Sequence, residues 1–388
     1  VVSGGQVRHI EVATKGMKND GGDPVDVGFV FGAGRGDVEN PNDVKDADFH
    51  TFVNKTDVTI SGGLIMASVY GGGENGRVLH DTHVTISGGQ IGCGEAPAGV
   101  PKIYSEEEWA SASVNTASTF KECLSWDYKA PFLPHDPYAQ TGDTEDAKEG
   151  TDGHTYYGSV FGGGSGYYPY LIKNIHGSVT GHEWLRSAGA VYGNTVIDIT
   201  GGHILTCVYG GNETTDVGTY SNNTKGQPLV HESGGKCTIN MVGGTIGVPR
   251  TDEAAQDHPV TCYLFGAGKG DQRTHFNTWT NVQETEVNVS GTARIFGSVF
   301  GGGEDGHILG DAKVNIGGEV KIDLNGDGDK DDTGETFTAQ SGLKIGTYGT
   351  SYVDGNVFGG GRGFSGLALT AGSTGGNAEV NIADGTML

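Results

Sequence analysis

Basic residues are scarce in this sequence: 24 Lys and Arg face 48 Asp and Glu, for a net charge of −24. Such a chain repels phosphate backbones and anionic lipid surfaces and attracts divalent cations, which argues against nucleic acid as a partner. No apolar run approaches the roughly 20 residues that cross a bilayer, so no transmembrane segment is expected. Val1 opens no signal peptide, so a mature or trimmed segment is expected. Proline supplies only 11 of 388 residues and no Gly-X-Y triplet runs, which excludes collagen despite 71 glycines. The five cysteines, Cys93, Cys123, Cys207, Cys237 and Cys262, are odd in number and include no CxxC, against a zinc site. Hydrophobic residues make up 35%, gathered in short Val, Ile, Tyr and Phe runs, which suits a narrow repeated core better than one large core.

What the sequence does have is a repeat. An aliphatic residue, an aromatic and a glycine recur in eight copies, at Val30, Val69, Val160, Val191, Val208, Leu264, Val299 and Val357. A second phrase alternates apolar and polar residues and then turns on glycines, as in Val58-Thr-Ile60-Ser-Gly62-Gly63, Val84-Thr-Ile86-Ser-Gly88-Gly89, Ile197-Asp-Ile199-Thr-Gly201-Gly202 and Ile239-Asn-Met241-Val-Gly243-Gly244. Weaker copies start at Val287, Val314 and Val380. Period-two alternation ending in glycine reads as a strand entering a tight turn.

Where no extra residues intervene the period is regular, with 26 residues from Val58 to Val84 and 27 from Val287 to Val314. One unit holds three short apolar runs, for example 58–60, 65–70 and 78–79. Three strands and three turns per unit predict one coil of a right-handed parallel β-helix, an all-β β-solenoid stacked at about 4.8 Å per coil. The expectation is a single solenoid over 1–388 with coils of about 26 residues. Val58, Ile60, Ile65 and Val69 should face inward, with small residues such as Ala67, Thr206 and Gly297 beside them. The aromatic slot, Phe31, Tyr70, Phe161, Tyr192, Tyr209, Phe265, Phe300 and Phe358, should stack into one ladder. Cys237 should point inward and Cys207 and Cys262 to opposite sides, leaving Cys93 and Cys123 as the candidate disulfide.

Loop insertions break the period at 94–157, 211–235 and 323–340. The first is rich in aromatics, and Trp109, Trp126, Tyr128, His135 and Tyr138 are its candidate ligand-binding residues. The chain opens and stops inside Gly-Gly phrases, and a continuation at one or both ends is expected.

The third insertion carries Asp323-Leu-Asn325-Gly-Asp327-Gly328-Asp329-Lys-Asp331-Asp332, which resembles the first half of an EF-hand or dockerin-type calcium loop. Asp323, Asn325, Asp327, Asp329, Asp331 and Asp332 are therefore candidate calcium ligands. The twelfth position is Gly334, so Asp332 or Glu335 would have to close the shell, and Ca2+ would rigidify the loop. Arg35-Gly36-Asp37 matches an integrin-read tripeptide, but Lys269-Gly270-Asp271 fills the same slot, so it reads as a turn. No clustered acid and base stands on a repeat strand, and Asp198 reads as isolated. His135 and Asp136 with Trp126 and Asp127, or His182 with Glu183, are the best remaining constellations for catalysis.

The phrases at 69–78 and 83–92, Val-Tyr-Gly-Gly-Gly-Glu-Asn-Gly-Arg-Val and His-Val-Thr-Ile-Ser-Gly-Gly-Gln-Ile-Gly, resemble the Gly-rich repeats of large surface proteins of gut Bacteroidota and some Firmicutes, and of pectin-lyase-like β-helix adhesins. The resemblance covers most of the chain outside the insertions and carries no catalytic motif. It implies export to the bacterial cell surface and a non-catalytic scaffold or adhesin, with a surface glycan or protein as ligand and lateral or filament self-assembly open to it. The alternative on the same fold is a carbohydrate-active enzyme, a polysaccharide lyase or glycoside hydrolase.

Overall fold

The computed structural model describes residues 1–7, 28–36, 39–40, 51–65, 67–92, 94–95, 101–102, 158–166, 170–173, 179–183, 187–221, 229–247, 263–270, 280–346, 355–363 and 372–387. The described residues hold strands and turns and no helix, so none is long and apolar enough to cross a membrane.

Alternation converts directly into columns. Strands Thr56–Ile65, Thr82–Ile91, Thr195–Ile204, Lys236–Met241, Glu284–Val289, Ala312–Ile316 and Ala378–Ile382 pair in parallel and in register. Val58, Val84, Ile197, Ile239, Val287, Val314 and Val380 consequently fall in one column. The Ile60 column runs beside it. After the glycines a second column forms from Val7, Ile65, Ile91, Ile204, Ile246, Ile295, Ile345 and Met387. At Gly63, Gly89 and Gly202 φ is +85°, a left-handed bend that a side chain would strain, and it turns one column into the next.

The 65–70 run, expected as one strand, is divided in two. Ile65 ends its strand, and Val69–Tyr70 belongs to a separate seven-stranded parallel sheet with Val30–Phe31, Val160–Phe161, Val208–Tyr209, Leu264–Phe265, Val299–Phe300 and Val357–Phe358. In the slot after the isoleucine, Gly92, Gly247 and Gly346 take φ of +90°, +84° and +98°, which stops the strand. A further line of short parallel pairs joins Val53 to Val78, Val78 to Val191, Val191 to Val217 and Val282 to Ile308. Antiparallel strand pairs among the described residues lie in excursions, and two isolated antiparallel bridges, Arg35 to Asn75 and Lys269 to Asp305, lie within the stack.

These columns enclose separate apolar layers: one of Val58, Ile60, Ile65, Val69 and their equivalents, and one around Val78, Val191, Val217, Cys237 and Ile308. The aromatic slot makes a third. Phe31, Tyr70, Phe161, Tyr209, Phe265, Phe300 and Phe358 stack with centroids 4.7, 4.6, 4.7, 5.2, 4.9 and 4.7 Å apart. Tyr192 is not in this stack, because Val191 aligns with Val78 and Val217 on the other line and Arg77 donates to the Tyr192 Oη at 3.4 Å. The 211–235 insertion is also narrower than its bounds, since residues 211–217 are buried in the stack and Thr219–Ser221 pairs antiparallel with Val230–Ser233 beyond them.

Glycine follows each stacked aromatic, and after all of them but Phe358 it does so where backbones meet. A Cβ on Gly71 would lie 2.2 Å from the Gly162 carbonyl oxygen, and one on Gly210 would lie 2.1 Å from that of Gly266. Cys207 and Cys237 are buried thiols outside any disulfide, and burial pushes the pKa of both up to about 12. Cys93, Cys123 and Cys262 lie outside the described residues.

Candidate functional site: a polar groove beneath an acidic hairpin

The outward-facing positions between the column valines are where chemistry can be displayed. In four successive strands that position holds Asn240, Asn288, Asn315 and Asn381, stacked by the register of the sheet. Their amides form a directional chain: Asn381 Nδ2 donates to Asn315 Oδ1 at 3.0 Å, Asn315 Nδ2 to Asn288 Oδ1 at 2.8 Å, Asn288 Nδ2 to Asn240 Oδ1 at 2.9 Å, and Asn240 Nδ2 to Asp198 Oδ1 at 2.7 Å. The charged acceptor Asp198, itself buried, terminates and polarises the chain.

Asp198 is therefore not isolated. Its other carboxylate oxygen lies 2.8 Å from His83 Nε2 on the neighbouring strand, and Asp57 Oδ1 lies 3.7 Å from His83 Nδ1. The hydrogen bond that His83 donates to Asp198 holds the imidazole above its usual range, with the Asp198 and Asp57 charges adding to it, against burial and Lys55. Beside the amides, Lys236 Nζ donates to Glu286 at 2.7 Å. Burial pushes Glu286 up, but Lys236 and Lys313 outweigh it and hold the carboxyl below its usual range.

After Ile316 the chain leaves the sheet as a hairpin, with Val320–Lys321 pairing antiparallel to Thr336–Phe337. Val320, Ile322 and Phe337 pack on Val242 and anchor it. The acidic sequence forms its tip, built from side-chain-to-backbone turns. Asp323 accepts from the Gly326 and Gly328 amides at 2.6 and 2.9 Å, Asn325 from Asp327 at 2.9 Å, Asp327 from Asp329 at 2.9 Å and Asp329 from Asp331 at 2.7 Å. The Gly328 amide foremost holds the Asp323 carboxyl below its usual range. Asn325 Nδ2 donates to Asp332 at 2.7 Å, and Lys321 pairs with Asp331. Glu335, only 2% exposed, accepts from the Leu324 amide at 2.8 Å at the base of the tip. Among the described residues no three His, Cys, Asp or Glu side chains are gathered as around a metal ion. The sequence-predicted ligands are thus on one tip, Asp323, Asn325, Asp327 and Asp329 accepting from backbone amides and Asp331 and Asp332 from side chains.

Between hairpin and amide chain lies a groove of about 510 Å³, lined by Asn240, Asn288, Asn315, Asn381, Glu286 and Lys330 among others. The remaining candidates, Trp109, Trp126, Tyr128, His135 and Tyr138, with Asp127 and Asp136, lie outside the described residues. His182 sits on the strand Val179–Glu183, paired with Tyr170–Lys173. Arg35 occupies a stacking slot, 3.3 Å from Glu74.

That slot, seen in the sequence only as a turn that accepts charge, is a bridge-paired line through Arg35, Glu74, Ser165, Glu213 and Lys269, with Glu304 bridged to Arg362 at its far end. Tyr70 Oη donates to Glu213 at 2.7 Å and Tyr209 Oη to Glu304 at 2.6 Å, and Lys269 Nζ stands 3.8 Å from Glu213. Burial pushes Glu304 up, against the Lys269 charge and the Tyr209 hydrogen bond. Two carboxylates of this line, Glu213 and Glu304, thus accept from the phenols of the aromatic stack. No family model matches the chain, and no curated protein or solved structure matches it either.

Proposed function

We propose that this chain is a right-handed parallel β-helix that serves as a non-catalytic scaffold of adhesin type on a bacterial cell surface, exporting recognition of surface glycans to its excursions. The observation that carries this reading is the continuity of side-chain identity along the stack: valine on valine, ring on ring, amide on amide. Each rung contacts only its neighbours, so such a stack gives a stiff, extensible body on which loops can be mounted without disturbing the core. The Gly-rich phrases support the surface assignment by their resemblance. The acidic tip is proposed to bind Ca2+ through Asp323, Asn325, Asp327, Asp329, Asp331 and Asp332, with Glu335 closing the shell. The aromatics Trp109, Trp126, Tyr128, His135 and Tyr138 remain the proposed ligand-binding set of the long insertion.

One observation favours a second reading. Asp57, His83 and Asp198 bring two carboxylates to one imidazole on an outer sheet face, a placement suited to acid and base work on a polysaccharide. A glycan array run beside a polysaccharide-digestion screen, with and without calcium, separates the two. The scaffold reading expects binding without cleavage that weakens in a Trp109→Ala/Trp126→Ala variant. Release of oligosaccharides that stops in His83→Ala would replace it with the enzyme.

A further inference from the structure

The geometry points to the groove over the asparagine chain as a binding site for a neutral oligosaccharide strand, distinct from the aromatic-rich insertion. The inference deepens the glycan-binding reading above and rests on it. An amide has two N–H donors and two acceptor lone pairs. Within the chain Asn288 and Asn315 each give one N–H to a neighbour and take one hydrogen bond at oxygen. Asn288 gives its second N–H to Glu286 and retains an acceptor lone pair, and Asn315 retains both an N–H and a lone pair, so hydrogen-bonding capacity beyond the chain persists on both internal amides at the ~4.8 Å rung spacing. A hydroxyl is also donor and acceptor at once, so a run of ring hydroxyls matches a run of such amides.

The surroundings narrow the ligand class. The groove's volume of about 510 Å³ suits a few sugar rings. The lining includes no aromatic ring, so recognition is by hydrogen bonds in the plane of the amides and not by stacking. Its charged lining residues balance, Glu286 and Glu319 against Lys321 and Lys330, and two of the four are paired, Glu286 with Lys236 and Lys321 with Asp331. A strongly charged strand of either sign would meet like charge there, which favours a neutral one. Four amides in successive rungs cover about 14 Å, a length for about three rings. Polarisation by Asp198 at the inner end strengthens the N–H groups that face a ligand.

The test is calorimetric titration of the full chain with neutral hexasaccharides of differing linkage and, in parallel, with uronic-acid oligomers. Two variants are carried beside the parent. Asn288→Ala/Asn315→Ala interrupts the amide chain. Ala383→Tyr fills the groove from an exposed position and leaves every amide in place, so it reports on the site even where the double variant loses stability. At least one neutral oligomer is expected to bind, and both variants should weaken it at least tenfold. Neutral binding that both variants leave intact overturns the groove while leaving glycan binding by the chain standing. Binding of uronic oligomers alone, or of no oligomer, overturns the inference as well.

Discussion

His83 and Asp198, on adjacent strands yet 115 residues apart in the chain, share a 2.8 Å hydrogen bond on the outer face of the sheet. The relationship makes stability depend on pH in a definite sense. The Asp198 hydrogen bond, with the Asp198 and Asp57 charges, favours the imidazolium and outweighs burial and Lys55, so the folded pKa lies above the ordinary 6.5. A raised pKa contributes stability that is fully present below pH 6.5 and is lost as pH climbs through the folded value. Thermal unfolding followed across that interval should show the midpoint falling with rising pH. His83→Gln should remove this slope, and a slope that survives in the variant would assign it elsewhere.

Backbone proximity gives a second expectation. Gly210→Ala sets a methyl 2.1 Å from the Gly266 carbonyl oxygen, so adjacent rungs have to separate. A cost of about 3 kcal/mol, the upper range for overpacking, is expected in urea unfolding. Gly318→Ala, whose new methyl meets nothing within 4 Å, should change stability by no more than about 0.5 kcal/mol. Equal effects at the two sites would remove close approach as the reason for glycine after the aromatic.

Tyr209 and Phe265 stack at 5.2 Å, but Tyr209 also donates to the buried Glu304. Tyr209→Phe keeps the ring and leaves a buried carboxylate without that donor, at an expected cost of about 1–3 kcal/mol. Tyr70→Phe should cost less, because Glu213 keeps a hydrogen bond from the Ser165 hydroxyl at 3.1 Å. In Tyr209→Phe/Glu304→Gln the two effects should fall short of their sum, since the second change removes the group the first one strands. Strict additivity would show that the pair is not coupled.

The columns of valine and isoleucine were legible because their signals are local: alternation over five residues and a glycine bend straight after. Tyr192 was misplaced for the same reason. Val191-Tyr192-Gly193 reads like its fellows, and only the spacing to Thr195, a strand start aligned with Thr82, puts it on the Val78 line. The amide chain had a sequence signal that went unused, since Asn240, Asn288, Asn315 and Asn381 each sit between two apolar residues of the same phrase. Asp198 sits in that slot too, and its partner did not show because His83 occupies the neighbouring outward slot one rung away. Local phrases fix which way a side chain faces, whereas pairing between rungs depends on register across insertions of unequal length.

The acidic tip allows the last expectation to be argued from its own hydrogen bonds. Asp323, Asp327, Asp329, Asp331 and Asp332 crowd like charge into ten residues, opposed by Lys321 and Lys330. Their mutual repulsion favours any cation that gathers them. Binding that prefers the folded chain stabilises it by RT ln(1 + [L]/Kd), about 2.7 kcal/mol at a hundredfold excess over Kd. Calcium added after chelation should therefore raise the unfolding midpoint of the hairpin, read by hydrogen exchange at Leu324, whose amide is held by Glu335 at 2.8 Å. Asp323→Ala removes both the proposed first ligand and the acceptor of the Gly326 and Gly328 amides, so the calcium response should vanish while a smaller loss persists in chelator. If calcium leaves Leu324 exchange unchanged in the parent chain, the tip is a solvated acidic turn held by its own backbone, and the charge cluster has no ion to hold.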